Sequence, residues 1–183
     1  MYYQPINALP MDIQNDWMAS LQRQVSPQAE GHFYLVDARR TQPNSFEEQR
    51  VVVLVVDENG FPIPDVLVAF SYSTAKQYVL PPGFLWTPPS PPRAFLARTQ
   101  GSGQIDQIQG SAVKKGEPGG ITVYLLEPSF SSDVVVGAGM LADHTGLHLT
   151  FQLHRNDVIP LMDRVAGLED RVAKLEQAIY QAR

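Results

Sequence analysis

The chain has 183 residues, with 14 Lys plus Arg against 19 Asp plus Glu, a net charge of −5 and no cysteine. That length suits one well-buried domain with appendages, not two large domains, and the absence of cysteine excludes disulfides, thiolate zinc sites and a Cys nucleophile. No basic patch interleaved with aromatics argues for a nucleic-acid partner, and no positively charged leader or apolar run of about 18 residues argues for export or a membrane span, so the expectation is a soluble protein made in a cytoplasm.

Residues 1–10 contain Pro5 and Pro10 and read as an extended arm. From Asp12 to Val25, Ile13, Trp17, Met18, Leu21 and Val25 line one side of an expected helix that stops at Ser26-Pro27. An apolar face of that width needs cover. Ile13, Trp17, Met18 and Leu21 are therefore candidate docking residues, either on this domain or on a larger particle. Residues 1–30 form the first expected unit.

Residues 31–155 carry the strand signals. His32 to Ala38 is a short strand candidate, and Arg39 to Gln49 a polar connector. The strongest signal is Val51-Val52-Val53-Leu54-Val55-Val56, followed by Asp57-Glu58-Asn59-Gly60 and then Val66 to Tyr72. Asn-Gly supplies the positive φ of a tight turn, and Val66, Val68, Phe70 and Tyr72 share one strand face. This succession of strand, Asp-x-Asn-Gly-x-Pro-Ile-Pro and strand resembles the opening of bacterial immunoglobulin-like and prealbumin-like sandwich domains. The resemblance covers Val51 to Tyr72 and extends loosely to His154. It implies a mainly β fold, an antiparallel immunoglobulin-like sandwich, and the residue periodicities before and after it add an N-terminal helix and a C-terminal parallel coiled-coil helix. Such sandwiches bind sugars, bind proteins or only space other domains, so the resemblance does not select a function.

Further strands are expected at Ala94–Arg98, Gln104–Gln109, Ile121–Leu126, Val134–Gly137 and Leu147–Leu153. In the last, Leu147, Leu149, Phe151 and Leu153 alternate with His148, Thr150, Gln152 and His154, which places the first set inward and the second outward. Seven or eight strands suffice for two sheets. The glycine-rich stretch from Gly101 to Gly120, with Lys114-Lys115 inside it, reads as a mobile loop.

Candidate chemistry is sparse. Gly137-Ala138-Gly139-Met140-Leu141-Ala142 mimics a dinucleotide fingerprint, but Asp143-His144-Thr145-Gly146 and a strand follow where the fingerprint needs a helix, so a bulge or tight turn is expected and no cofactor. His144 and His148 beside Asp143 would suit a metal on a helix. On a loop and strand they read as surface histidines, and no metal is expected. No nucleophile elbow, zinc motif, phosphate loop or apolar carboxylate pair occurs, so the expectation is that the protein is not an enzyme. Between Tyr78 and Phe95, prolines stiffen a loop punctuated by aromatics. Tyr78, Phe84 and Trp86 are possible ligand-binding residues for a surface glycan, or a lid over the sandwich edge.

The final unit, residues 157–183, carries a heptad repeat. Val158, Val165, Val172 and Ile179 take a positions, and Leu161, Leu168, Leu175 and Ala182 take d positions. Arg164 and Arg171 then sit at g, Glu169 and Glu176 at e. Parallel chains set each g Arg against an e Glu, whereas antiparallel chains oppose like charges. Val or Ile at a with Leu at d leans toward two strands, but Arg164–Glu169 and Arg171–Glu176 both resemble the Arg-h-x-x-h-Glu signature of short trimeric coiled coils, where h is apolar. The two copies favour a parallel homotrimer. A helix of about 26 residues spans ~39 Å, and Gly167 at an exposed position costs on the order of 1 kcal/mol, so the sandwich is expected to contribute to the assembly.

Taken with the N-terminal arm, these features resemble bacteriophage decoration, head-fibre or tail accessory proteins. The implied setting is the virion, with capsid or tail proteins as partners. The alternative is a cytoplasmic or extracellular soluble carbohydrate-binding module presenting Trp86.

Overall fold

Period-two runs of β-branched and aromatic residues dominate the chain, and strands dominate the result. A computed structural model describes residues 4–23, 25, 29–41, 50–72, 93–108, 113–141 and 143–155. The expected stalk at 157–183 and the aromatic loop residues Tyr78, Phe84 and Trp86 lie outside them.

Among the described residues, one helix, α1 (Met11–Trp17), precedes ten strands: β1 (Ser20–Gln22), β2 (Gly31–Arg40), β3 (Arg50–Val56), β4 (Leu67–Tyr72), β5 (Arg93–Arg98), β6 (Gln104–Ile108), β7 (Ile121–Leu125), β8 (Phe130–Ser132), β9 (Val134–Ala138) and β10 (Leu147–Arg155). They form two five-stranded sheets, ordered β1-β9-β7-β4-β5 and β6-β3-β10-β2-β8. Phe33, Leu35, Val51, Val53, Val55, Leu147, Leu149 and Phe151 from one sheet share a single core with Val68, Phe70, Ile121, Val123 and Val135 from the other. The protein is thus mainly β, in two packed layers.

Three findings correct or extend these expectations. The second sheet is mixed, since β3 runs parallel to β10 and β8 parallel to β2. Parallel neighbours require long connections, and nearly the whole domain separates β3 from β10. Secondly, β3 and β4 flank the Asn-Gly turn but lie in different sheets. Asp57 Oδ1 accepts the N–H groups of Asn59 and Phe61, and Gly60 sits at φ 86°. Pro62 and Pro64, which lack N–H donors, then carry the chain across to the other layer.

Thirdly, the helix expected from Asp12 to Val25 is only seven residues long. Met18 adopts a left-handed conformation at φ 46°, and the chain turns into β1, which pairs with β9 through Leu21↔Val135 and its neighbours. Ladder bonds along the β9 edge replace the helical bonds that a longer helix would make. Strands β1 and β8 carry no period-two signal because each has three residues.

The Gly-Ala-Gly segment ends β9. Register slips between Ile121 and Thr122, leaving Gly137 as the extra residue of a bulge at φ 83°. A Cβ there would stand 3.1 Å from Ala19 Cα, so the close approach of β1 also requires glycine. The loop expected to be mobile is anchored where it is described: Gly116 and Gly119 donate N–H groups to the carbonyls of Asp16 and Trp17, and Lys115 reaches Asp16 at 2.9 Å.

Candidate functional site

Two features stand out, a buried polar cluster and a cleft at one end of the layers. The cluster centres on Asp133, the residue between β8 and β9, whose side chain is fully buried. Its Oδ1 accepts from Arg23 Nε at 2.8 Å and from His32 Nε2 at 2.9 Å. Its Oδ2 accepts from Arg23 Nη2 at 2.6 Å and from the Leu35 N–H at 2.8 Å. Four donors saturate an ionised carboxylate. The Asp133 hydrogen bond also holds the Arg23 guanidinium above its ordinary pKa, against the opposing effect of its partial burial.

His32 is 1% exposed, on β2. The carboxylate can only accept, so Nε2 donates to it, and Nδ1 lies 2.7 Å from the Ser131 hydroxyl. Tyr34, whose ring is 4.5 Å from that of His32 and 5.1 Å from that of His154, stacks beneath the Arg23 guanidinium. Arg23 Nη2 also donates to the Ile6 carbonyl at 2.8 Å. The cluster therefore ties the N-terminal arm, β2 and the β8–β9 corner together.

Ser131, His32 and Asp133 have the residue types of a nucleophilic relay. Geometry argues for a clasp instead. Arg23 neutralises the acid, Ser131 is buried, and the neighbouring cleft is lined by Phe130, whose side chain projects from the opposite face of β8.

That cleft measures about 590 Å³. Phe33, Ile63, Phe130 and Leu153 give it apolar walls; Asp57, Glu58, Asp65, Glu127, Arg98 and Arg155 give it a charged rim. Glu127 Oε1 accepts the Leu67 N–H at 2.8 Å, and Arg98 Nη1 donates to the Asp65 carbonyl at 2.5 Å. The rim is thus partly committed to holding its own turns. Among the described residues, no group of three or more His, Asp or Glu side chains is placed to hold a metal.

Residues singled out from the sequence fall into three sets. Val158, Leu161, Arg164, Val165, Leu168, Glu169, Arg171, Val172, Leu175, Glu176 and Ile179 lie outside the described residues, as do Tyr78, Phe84 and Trp86. Of the docking candidates, Ile13 and Trp17 are completely buried in the domain's own core, Leu21 packs at its margin, and Met18 is 62% exposed. The histidines are not uniformly superficial: His32 and His148 are buried, and His154 is half-buried. His148, Thr150 and Gln152 occupy the face of β10 away from the core, yet each is buried. Gln152 donates to the carbonyls of Asp57 and Glu58, and His154 contacts Gln152 Oε1 at 3.0 Å.

Arg23, His32, Ser131 and Asp133 were not legible as a set. His32 and Asp133 are 101 positions apart, and only the pairing of β8 with β2 joins them. No helix among the described residues is long and apolar enough to cross a membrane. No protein family, curated protein or solved structure matches the chain.

Proposed function

We propose that the protein is a non-enzymatic structural protein that assembles as a parallel homotrimer, a two-layer β domain on a short C-terminal coiled-coil stalk. The observation that carries this reading is the heptad seam from Val158 to Ala182 with Arg at g and Glu at e, starting three residues after β10 ends at Arg155. A domain whose last strand feeds directly into such a seam presents its copies around one axis.

Virion attachment, as a capsid decoration, head fibre or tail accessory protein, is the setting that best fits a small trimeric stalked domain. The apolar side chains that the N-terminal region offers to a capsid or tail partner are Met11, Met18 and Val25, all exposed. Sedimentation equilibrium of the full chain tests the assembly. A trimer is expected, weakened in Arg171→Glu because three g–e contacts are replaced together by like charges. A monomer at every concentration refutes the reading.

A further inference from the structure

We propose that the cleft at the stalk end of the β domain is an intersubunit socket, and that its occupant is Phe61 of a neighbouring copy. This inference rests on the homotrimer reading. Arg155, the last residue of β10, lines the cleft, and Val158 is the first a position of the seam. Three residues span at most about 11 Å, so the stalk places every copy of the cleft close to the assembly axis.

A knob sits beside the socket. The turn from Asp57 to Pro64 supplies part of the cleft wall through Asp57, Glu58, Ile63 and Pro64, and carries Phe61 opposite Asp57, just beyond the Asn59-Gly60 bend. The Phe61 backbone is pinned, its N–H to Asp57 Oδ1 at 2.8 Å and its carbonyl to the Asp57 N–H at 2.8 Å. Its side chain is 68% exposed and takes no part in lining the cleft of its own chain. Burying that side chain in an apolar cleft of a neighbouring copy would favour association.

Knob and socket on adjacent surfaces of one copy make a heterologous contact, which closes into a ring under three-fold rotation. The apolar walls formed by Phe33, Phe130 and Leu153 suit a phenyl ring, and the cleft volume accommodates one. Glu58 and Arg155 on the rim carry opposite charges and can pair across the same contact. The socket also supplies the additional interface that a stalk of about four heptads needs.

The test uses the full chain. In Phe61→Ser, the concentration at which the trimer dissociates in sedimentation should rise at least about tenfold, with the circular dichroism spectrum unchanged because the side chain is exposed. Since the chain has no cysteine, Phe61→Cys chains can be co-expressed with Arg155→Cys chains, and oxidation should give a two-chain band that neither variant gives alone. An unchanged dissociation concentration, or no mixed band, overturns the socket while leaving the stalk intact. A wild-type chain that is monomeric at every concentration removes the trimer reading and the socket with it.

Discussion

Replacing Asp133 with Ala removes the acceptor for four hydrogen bonds at once. The consequences differ among the donors. Arg23, with a side chain 23% exposed, can turn its guanidinium toward water. His32, at 1% exposure, and the Leu35 N–H inside β2 cannot. Each buried donor left without a partner costs about 1–3 kcal/mol, and breaking a buried ion pair from one side costs about 3–5 kcal/mol in all. Against a total stability on the order of 5–15 kcal/mol, that is a large fraction. Urea unfolding at one fixed protein concentration should show a lower midpoint for Asp133→Ala with an unchanged m-value. Arg23→Ala should cost less, and the double variant should cost less than the sum of the two because the partners are shared. A loss below about 1 kcal/mol for Asp133→Ala would refute the clasp, since the carboxylate would then be contributing no more than a surface group.

Trp17→Ala should destabilise the domain by about 3–5 kcal/mol, because the indole is fully buried in the shared core; a change within about 1 kcal/mol, with loss of binding to particles instead, would identify Trp17 as a docking residue. Stability should fall as pH drops below about 6.5 through His154, whose pKa burial lowers, so that the unfolded chain takes up a proton at that position more readily than the folded one. Above that pH the contribution is fully present, and His154→Gln should flatten this part of the pH profile in thermal melts. Trp86→Ala should leave the unfolding midpoint nearly unchanged and abolish any retention on glycan arrays; a midpoint lowered by several degrees would make Trp86 a core-covering residue and exclude the sugar site.

Local chemistry determined a good deal of this protein by itself. Strands β2, β3, β4, β7 and β10 were legible because their alternating or continuous apolar runs suit a buried strand, and Asn59-Gly60 announced its turn because few residue pairs tolerate the required φ. The heptad spacing from Val158 to Ala182 is likewise a sequence reading, and the parallel homotrimer is proposed from it, those residues lying outside the described ones. Tertiary structure decided what local preference leaves open. Met18 ends α1 not through a breaker residue but because the β9 edge offers ladder bonds that outweigh another helical turn, and that edge is assembled from a segment more than a hundred residues later. Which layer each strand joins depends on closing one core, so β3 and β4, adjacent in the chain and separated by a tight turn, part company. His32, Asp133 and Arg23 look like ordinary surface residues until strand pairing brings them together, because the cost of burying each polar group is recovered only once its partners have arrived.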